Sequence, residues 1–400
     1  MSGQTGRPDD GLLSQSGGAV RRTIFGPEHE ALRATAHAFL QRNVVPRLDD
    51  FVEARGLPRD FWLEAGKQGL LGLHVPDEWG GAGSEDPLFG VVVSEEFAKV
   101  SASVASCYGI HSGVVAPYLV DLCTQEQKQR WLPRFCTGEL VTAIAMTEPG
   151  GGSDLAALRT TAVRDGDAWV LSGSKTFITN GYSADLVVVA ARTDPTKGTR
   201  GITLFAVETG MEGFTRGRKL DKVGQTESDT AELFFADVRV PDANRIGEEG
   251  RGFVHMMERL VGERVGAAAS NTAHARQVLD DTLTYVKERQ AFGQPVGSFQ
   301  HNKFKMAELV TVMDVTQAFV DQCLVAHARG ELSTADAAKA KWWSAQVQND
   351  VIDECVQLHG GYGYMNEYRV ARAWRDARVT KIWAGSNEIM KELIGRDLGL

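Results

Sequence analysis

Ala145-Met146-Thr147-Glu148-Pro149-Gly150-Gly151-Gly152-Ser153-Asp154 is followed by Gly173-Ser174-Lys175-Thr176-Phe177-Ile178-Thr179-Asn180-Gly181, and much later by Gln357-Leu358-His359-Gly360-Gly361-Tyr362-Gly363-Tyr364. Each stretch sets a Gly-rich turn beside hydroxyls or amides and an apolar strip. Glycine lets backbone N–H groups approach a flat, phosphate-bearing ligand closely. One such turn is only a turn; three in one chain point to a large bound cofactor.

Working outward, the pattern changes twice. Gly26-Pro27-Glu28 opens a stretch with Leu32, Ala36, Phe39 and Leu40 at helical spacing. Pro58-Arg59-Asp60 opens another, closed near Gly69, and a third runs from Asp86 to Ser103 around a core of Phe89, Val92 and Phe97. From 141 the chain carries short β-rich runs: Trp169–Leu171, Leu186–Ala190, Ile202–Val207 and Ala231–Phe235, separated by turns such as Asp165-Gly166-Asp167. Beyond Gly252 helical periodicity runs almost unbroken to Arg289. Two more long helices follow, from Phe299 to Gly330 and from Ser333, a residue suited to an N-cap, to His359. The reading is α+β: a disordered tail (1–22), an N-terminal helical domain (23–140), a middle small β domain (141–250) and a C-terminal four-helix-bundle domain (251–400).

Bulk properties restrict the function. The chain has 400 residues, 43% hydrophobic and 24% charged, with a formal net charge of -9 that argues against nucleic acid as partner. Cys107, Cys123, Cys136, Cys323 and Cys355 are scattered, with no spacing that suggests a metal or a disulfide framework. Reduced cysteines and the absence of an apolar signal core in the first 22 residues give a cytoplasmic expectation. No window of about 18 apolar residues is read, so no membrane span is expected.

The three Gly motifs, together with Arg289-Gln290-Ala291-Phe292-Gly293-Gln294, Lys341-Trp342-Trp343, Arg375-Asp376-Ala377-Arg378 and Gly385-Ser386-Asn387-Glu388-Ile389, resemble the acyl-CoA dehydrogenase family of flavoproteins in order and spacing. Val356–Gly361 and Asn387–Ile394 look most like the long-chain members. The resemblance implies a homotetramer with FAD in each subunit, an acyl-CoA substrate, an electron-transfer flavoprotein as acceptor and a place in fatty-acid β-oxidation. The implied reaction removes an α-proton and a β-hydride from a thioester. It needs a carboxylate base, an oxyanion site and a flavin as hydride acceptor.

In many relatives the base precedes the Gly of a C-terminal GT or GS pair. Here that position is Ala384, in Trp383-Ala384-Gly385-Ser386. In long-chain and isovaleryl members the base stands on the first long C-terminal helix before an Arg, and Glu263-Arg264 falls there when counted from Gly252-Phe253 and back from Arg289–Phe292. Glu258-Arg259, of the same spelling, lies five residues too early. Glu263 shares a helical face with Met256, Leu260, Gly266, Ala267 and Ser270. The bland alternative is a salt-bridged Glu at a helix contact.

Further roles are implied by the resemblance. Ile144, Met146, Thr147, Gly152 and Ser153 run along the flavin, with Ser153 also near the substrate, and Phe177 and Thr179 flank the ring. Arg289, Phe292, Gln300, Gln357, Gly360 and Gly361 reach the FAD of a neighbouring subunit, and Ser386, Asn387 and Glu388 lie near its adenine and ribityl end. Arg264 is a substrate-side cation, the backbone of Ala384 and Gly385 serves the thioester oxygen, and Arg200 meets a coenzyme A phosphate. Phe177 and Phe292 as core aromatics, Gly360 and Gly361 as a helix C-cap, and Arg200 as a solvated charge are the plain alternatives. A short branched-chain dehydrogenase, an acyl-CoA oxidase and a non-catalytic flavin-binding homologue remain rival functions.

Overall fold

The computed structural model describes residues 21–400. Residues 1–20 of the expected tail lie outside the described residues. The expected tail extends to residue 22, but Arg22 is anchored: its guanidinium pairs with Glu95 at 2.8 Å and Asp321 at 2.7 Å. Two acids, one on each of two helices far apart in sequence, hold a cation that composition alone assigns to a polar leader.

The N-terminal layer is helical: α1 (Pro27–Asn43), α2 (Leu48–Ala54), α3 (Arg59–Lys67), α4 (Leu88–Val100), α5 (Ala102–Tyr108), α6 (Ala116–Leu122) and α7 (Gln125–Cys136). Pro27 at the first helical position presets φ for α1, and Glu28 and Glu30 complement its N-terminal dipole. Phe39, Phe51, Phe61, Trp62, Phe97 and Tyr108 close an aromatic core. The stretch Asp86–Ser103 divides instead of forming one helix. Ser101 leaves the helical region (φ -155°, ψ 126°), and its side chain accepts from Ser103 N and Val104 N to cap α5. A serine that satisfies two free N–H groups favours a new helix start over continuation.

A mixed sheet comes next in the chain: β1 (Thr142–Ala145), β2 (Thr161–Asp165), β3 (Ala168–Ile178), β4 (Leu186–Arg192), β5 (Ile202–Glu208), β6 (Phe214–Lys219), β7 (Ala231–Pro241) and β8 (Arg245–Ile246). The order is β6-β7-β3-β2-β4-β5-β8, with β1 parallel to β4. Sequence reading finds the buried runs β4 and β5 and misses β1, β2, β6 and the two-residue β8. β2 and β6 are largely solvent-facing, so they lack the apolar run that marks a buried strand.

The C-terminal part is built on α8 (Gly252–Glu288), α9 (Gln300–Ala328) and α10 (Thr334–His359), and α11 (Arg369–Ala377) and α12 (Asn387–Asp397) pack on α10. Ser333 caps α10 through Asp336 N, and helices, sheet and helices make the α+β arrangement read from sequence. The 37 residues of α8 cross the molecule. Val265, Ala268 and Ala269 meet Leu88 and Val91 of α4, and Ala340 of α10 joins the same cluster. One expectation changes here. By length and composition α9 suffices to cross a bilayer, with a mean hydropathy of 1.3 in its most apolar stretch. It buries Met306, Leu309, Met313, Val320 and Leu324 in the bundle.

The loop after β1 is tied to β3 by a buried ion pair. Lys175 Nζ, fully enclosed, donates to Glu148 Oε1 at 2.8 Å and to Met146 O at 3.1 Å. Glu148 also accepts from the backbone N–H of Arg159 and Thr160, which with Lys175 hold its carboxyl below the usual range against the opposing pull of burial. Removing one member of such a pair leaves the other charge buried. Lys175→Met is expected to lower the unfolding free energy by about 3–5 kcal/mol, read by urea denaturation; a loss near zero would show that the pair does not organise the loop.

Candidate active site

The Gly150 loop, which follows β1, and the Lys175–Thr179 segment at the end of β3 come together. Thr176 N donates to Thr147 O at 3.0 Å, and Glu148 and Gly151 exchange both backbone hydrogen bonds, closing the turn. Gly152 and Ser153 lie exposed beyond it. Pairing of β3 with β7 slips between Lys175 and Ile178, and inside that irregularity Phe177 takes φ +59° and turns outward, 68% exposed. A bulge re-aims a side chain in this way. Phe177 is therefore no core aromatic, and Thr179 lies two residues on, partly buried.

Glu263 stands three turns into α8, in the same run of helix as Met256 and Leu260. Met256, fully buried, shares a core with Tyr118 and Leu119, against which Ile144, Met146, Phe253 and Met257 pack. The Gly150 loop and the Glu263 face of α8 thereby border one another. Met256 is sealed in that core, which leaves Met257 as the partly exposed methionine. Among the described residues Glu263 forms no salt bridge, and its Oε1 is buried without a hydrogen-bond partner. Burial pushes its carboxyl up to about 7, against the opposing pull of Arg264, Arg259 and the Tyr118 hydroxyl. Glu258 points outward, 57% exposed at its side chain, toward His255 and Arg259. The salt-bridged alternative for Glu263 finds no partner in this geometry.

Arg264 is buried, its Nε also without a partner among the described residues, and desolvation lowers its pKa while Glu263 raises it. Beside it lies Lys341, 0% exposed on α10, whose Nζ donates to Gly385 O at 2.5 Å. Burial and then Arg264 lower the Lys341 pKa to about 8. Lys341 ties α10 to the Ala384-Gly385 turn, with the like charge of Arg264 close enough to be felt. In that turn Ala384 has φ +52° and Gly385 φ +88°. Ser386 spends its hydroxyl on Ile389 N as the cap of α12, Asn387 is buried with Oδ1 unpartnered, and Glu388 is exposed. Sequence reading assigns no role to Lys341, Lys175 or Tyr118. For Lys341 a signal is there: it falls on the helical stripe of Ala337, Ala338, Ser344 and Ala345, all buried.

A second group lies at the far end of α8. Arg289 sits 5.2 Å over the Tyr362 ring, and Phe292 is 96% exposed with φ +51°. Gln300 is exposed at the start of α9, and Gln357, Gly360 and Gly361 are exposed at the end of α10, which stops at Gly360 with φ +60° just before Tyr362. The C-cap role is thus real and leaves Gly361 to be explained. Between Glu263 and Arg289 runs about 39 Å of helix at 1.5 Å per residue. Arg200 is exposed on the loop whose backbone meets the start of α8, near Gly250, and no ion pair among the described residues engages it.

Three profiles of one family cover the chain in order: acyl-CoA dehydrogenase, N-terminal domain over residues 26–139, middle domain over 143–238 and C-terminal domain over 250–399. The chain belongs to the acyl-CoA dehydrogenase family. It is 44% identical over 379 residues to the long-chain specific acyl-CoA dehydrogenase, mitochondrial, of Sus scrofa, spanning 94% of this chain and 88% of that one. It is 37% identical to the isovaleryl-CoA dehydrogenase, mitochondrial, of Solanum tuberosum, over 94% and 91% of the two chains. A solved acyl-CoA dehydrogenase from Geobacillus kaustophilus superposes with a TM-score of 0.92 at 46% identity, covering 94% of this chain and 99% of that one. The protein is a flavin-dependent oxidoreductase of fatty-acid metabolism, and its cofactor is FAD.

The residues present fit that group. Added Cβ atoms at Gly150 and Gly361 would meet nothing within 4 Å, and neither residue has a positive φ. The protein's own packing gives no reason for glycine there; a ligand lying against the backbone does. Phe177 and Phe292 expose aromatic surface from left-handed backbone, a conformation that costs roughly 1–3 kcal/mol and persists where function uses it. Gly361→Ala is accordingly expected to leave apoprotein stability within about 0.5 kcal/mol and to weaken FAD binding on the order of tenfold. Thermal unfolding of the apoprotein and flavin titration measure both; unchanged FAD affinity would remove Gly361 from the cofactor surface.

Proposed function

We propose that this acyl-CoA dehydrogenase desaturates medium- to long-chain acyl-CoA thioesters in β-oxidation, with Glu263 taking the α-proton. The observation that carries it is the Glu263 carboxylate on an apolar face, its Oε1 buried without a partner and its proton affinity raised into the range where it accepts a proton near neutrality. Bound FAD supplies the acceptor for the β-hydride. The backbone of Ala384 and Gly385, held through Lys341, receives the thioester oxygen, and Arg264 stands beside the base as a substrate-side cation. Proton transfer to Glu263 leaves Arg264 and Lys341 as excess positive charge where negative charge develops on the substrate. Arg200, exposed at the start of α8, is suited to a coenzyme A phosphate.

Ile144, Met146, Thr147, Gly152, Ser153, Phe177 and Thr179 form one half of the flavin surface. Arg289, Phe292, Gln300, Gln357, Gly360 and Gly361 form the other. The length of helix between Glu263 and Arg289 exceeds what one bound dinucleotide reaches, which supports a site completed by a neighbouring subunit and hence a homotetramer. We take an electron-transfer flavoprotein as the electron acceptor and the cytoplasm as the location, in keeping with five free, buried thiols.

Glu263→Gln is expected to keep FAD and acyl-CoA binding and to lose turnover by ~10²-fold or more, whereas Glu258→Gln stays near the parent rate. Since only the ionised carboxylate accepts a proton, kcat/KM in the parent enzyme falls as pH drops below about 7. Steady-state rates from pH 5 to 9 check both; a crippled Glu258→Gln with an active Glu263→Gln would assign the base elsewhere.

The acyl group is inferred from space and from similarity. Ala384 leaves open the volume that a Glu would fill, and Val356–Gly361 and Asn387–Ile394 in the C-terminal part look most like long-chain members. Each buried methylene adds up to ~0.8 kcal/mol. Values of kcat/KM for saturated acyl-CoAs are therefore expected to rise with length to a plateau above butyryl-CoA. A preference for isovaleryl-CoA would favour the branched-chain alternative, which shares the helix-borne base.

A further inference from the structure

Tyr118 and Glu263 are close enough inside the protein to act on each other's proton affinity, and each keeps a buried oxygen, Oη and Oε1, without a partner among the described residues. Tyr118 is on α6, directly after the π-helical turn Gly109–Val115. π-helical turns are rare and frequently mark functional sites, because the extra residue per turn re-aims the side chains beyond it. The Tyr118 ring is fully buried in the core that holds Met256, one face lying 5.0 Å from the guanidinium carbon of Arg259. Arg259 is itself tethered to Asp121 at 3.0 Å. Arg259 and Glu263 are one turn apart on α8, so the phenol lies along the face that carries the carboxylate. Tyr118 Oη and Glu263 Oε1 are both sealed from solvent without partners among the described residues.

We propose that Tyr118 is a positioning residue for the base, its Oη–H donating to the ionised Glu263 carboxylate and aiming it at the substrate. The proposal rests on the reading of Glu263 as the base. A phenol is a donor and an ionised carboxylate only an acceptor, so the pair is complementary in that charge state. The other groups facing this stretch act differently. Arg264 and Arg259 on α8 are full charges, and Lys341 on α10 is committed to Gly385 O. On α9, His327 packs against Gly262 with its imidazole pKa lowered by burial, and the buried Cys323 thiol is pushed up to about 11. α4 meets α8 with Leu88 and Val91. His327 faces Gly262 and a thiol donates only weakly, so Tyr118 is the neutral hydroxyl donor of the set. The effects run as this requires: the hydroxyl opposes the rise that burial imposes on Glu263, and burial and then Glu263 raise Tyr118.

Tyr118→Phe in the FAD-loaded enzyme removes one oxygen and keeps the ring. The acid limb of the kcat/KM profile is expected to move up by about one pH unit, since loss of the hydrogen bond disfavours the charged form. The variant is then several-fold slower at pH 7 and equal to the parent at pH 9, with unchanged flavin content. A profile that superimposes on the parent's, or a loss equal at all pH values, overturns the proposal. If the Phe variant does not retain flavin, 3-fluorotyrosine inserted at position 118 decides. Its more acidic phenol donates more strongly and has to move the limb to lower pH; a limb that stays in place, or rises, overturns the proposal. An active Glu263→Gln sinks the base itself, whereas an inactive Glu263→Gln with an unshifted Tyr118→Phe profile sinks only this inference.

Discussion

Close packing along α8 is the constraint on which the rest of the structure depends. One helix meets α4 and α5 of the N-terminal layer, β5 of the sheet, and α9, α10 and α11 of the bundle. It can do so because its middle is small: Val265, Ala268 and Ala269 face α4 and α9 where larger side chains would hold the helices apart. The same narrow stretch carries Glu263 and Arg264. Bringing helices this close excludes water from the carboxylate, and that exclusion is what raises its proton affinity.

Buried charge is handled in two ways in this dehydrogenase. Glu148 and Lys175 are fully paired and hydrogen-bonded, which makes them architectural. Glu263 and Arg264 keep orphaned polar atoms, and Lys341 bonds only a carbonyl. Native interiors rarely leave such groups unsatisfied, so a cluster of them marks a place where a ligand completes the bonding.

Backbone strain obeys the same division. Seven of the described non-glycine residues have positive φ, and Phe177, Phe292 and Ala384 are among them. Two expose aromatic faces and the third forms the turn held by Lys341. At Gly150 and Gly361 the reverse holds: ordinary backbone, open space, yet no side chain. Strained large residues and unstrained glycines together describe a surface shaped for something outside the chain's own core.

The sequence by itself determined the fold class, the long helices and the local spelling of the site, because these rest on periodicity, capping and glycine, which act over a few residues. Ser333 as a cap, the buried runs of β4 and β5 and the face of α8 that bears Glu263 are all of this kind. The solvent-facing strands β2 and β6 and the break at Ser101 are not legible there, since their signals are weak beside tertiary context. Only the tertiary structure decided which charges meet. Arg22 joins Glu95 and Asp321, Lys341 joins Gly385, and Tyr118 is brought to Glu263 across 145 positions of chain. Such pairings depend on how layers pack, and no local pattern encodes the partner of a charge whose neighbour in space is distant in sequence.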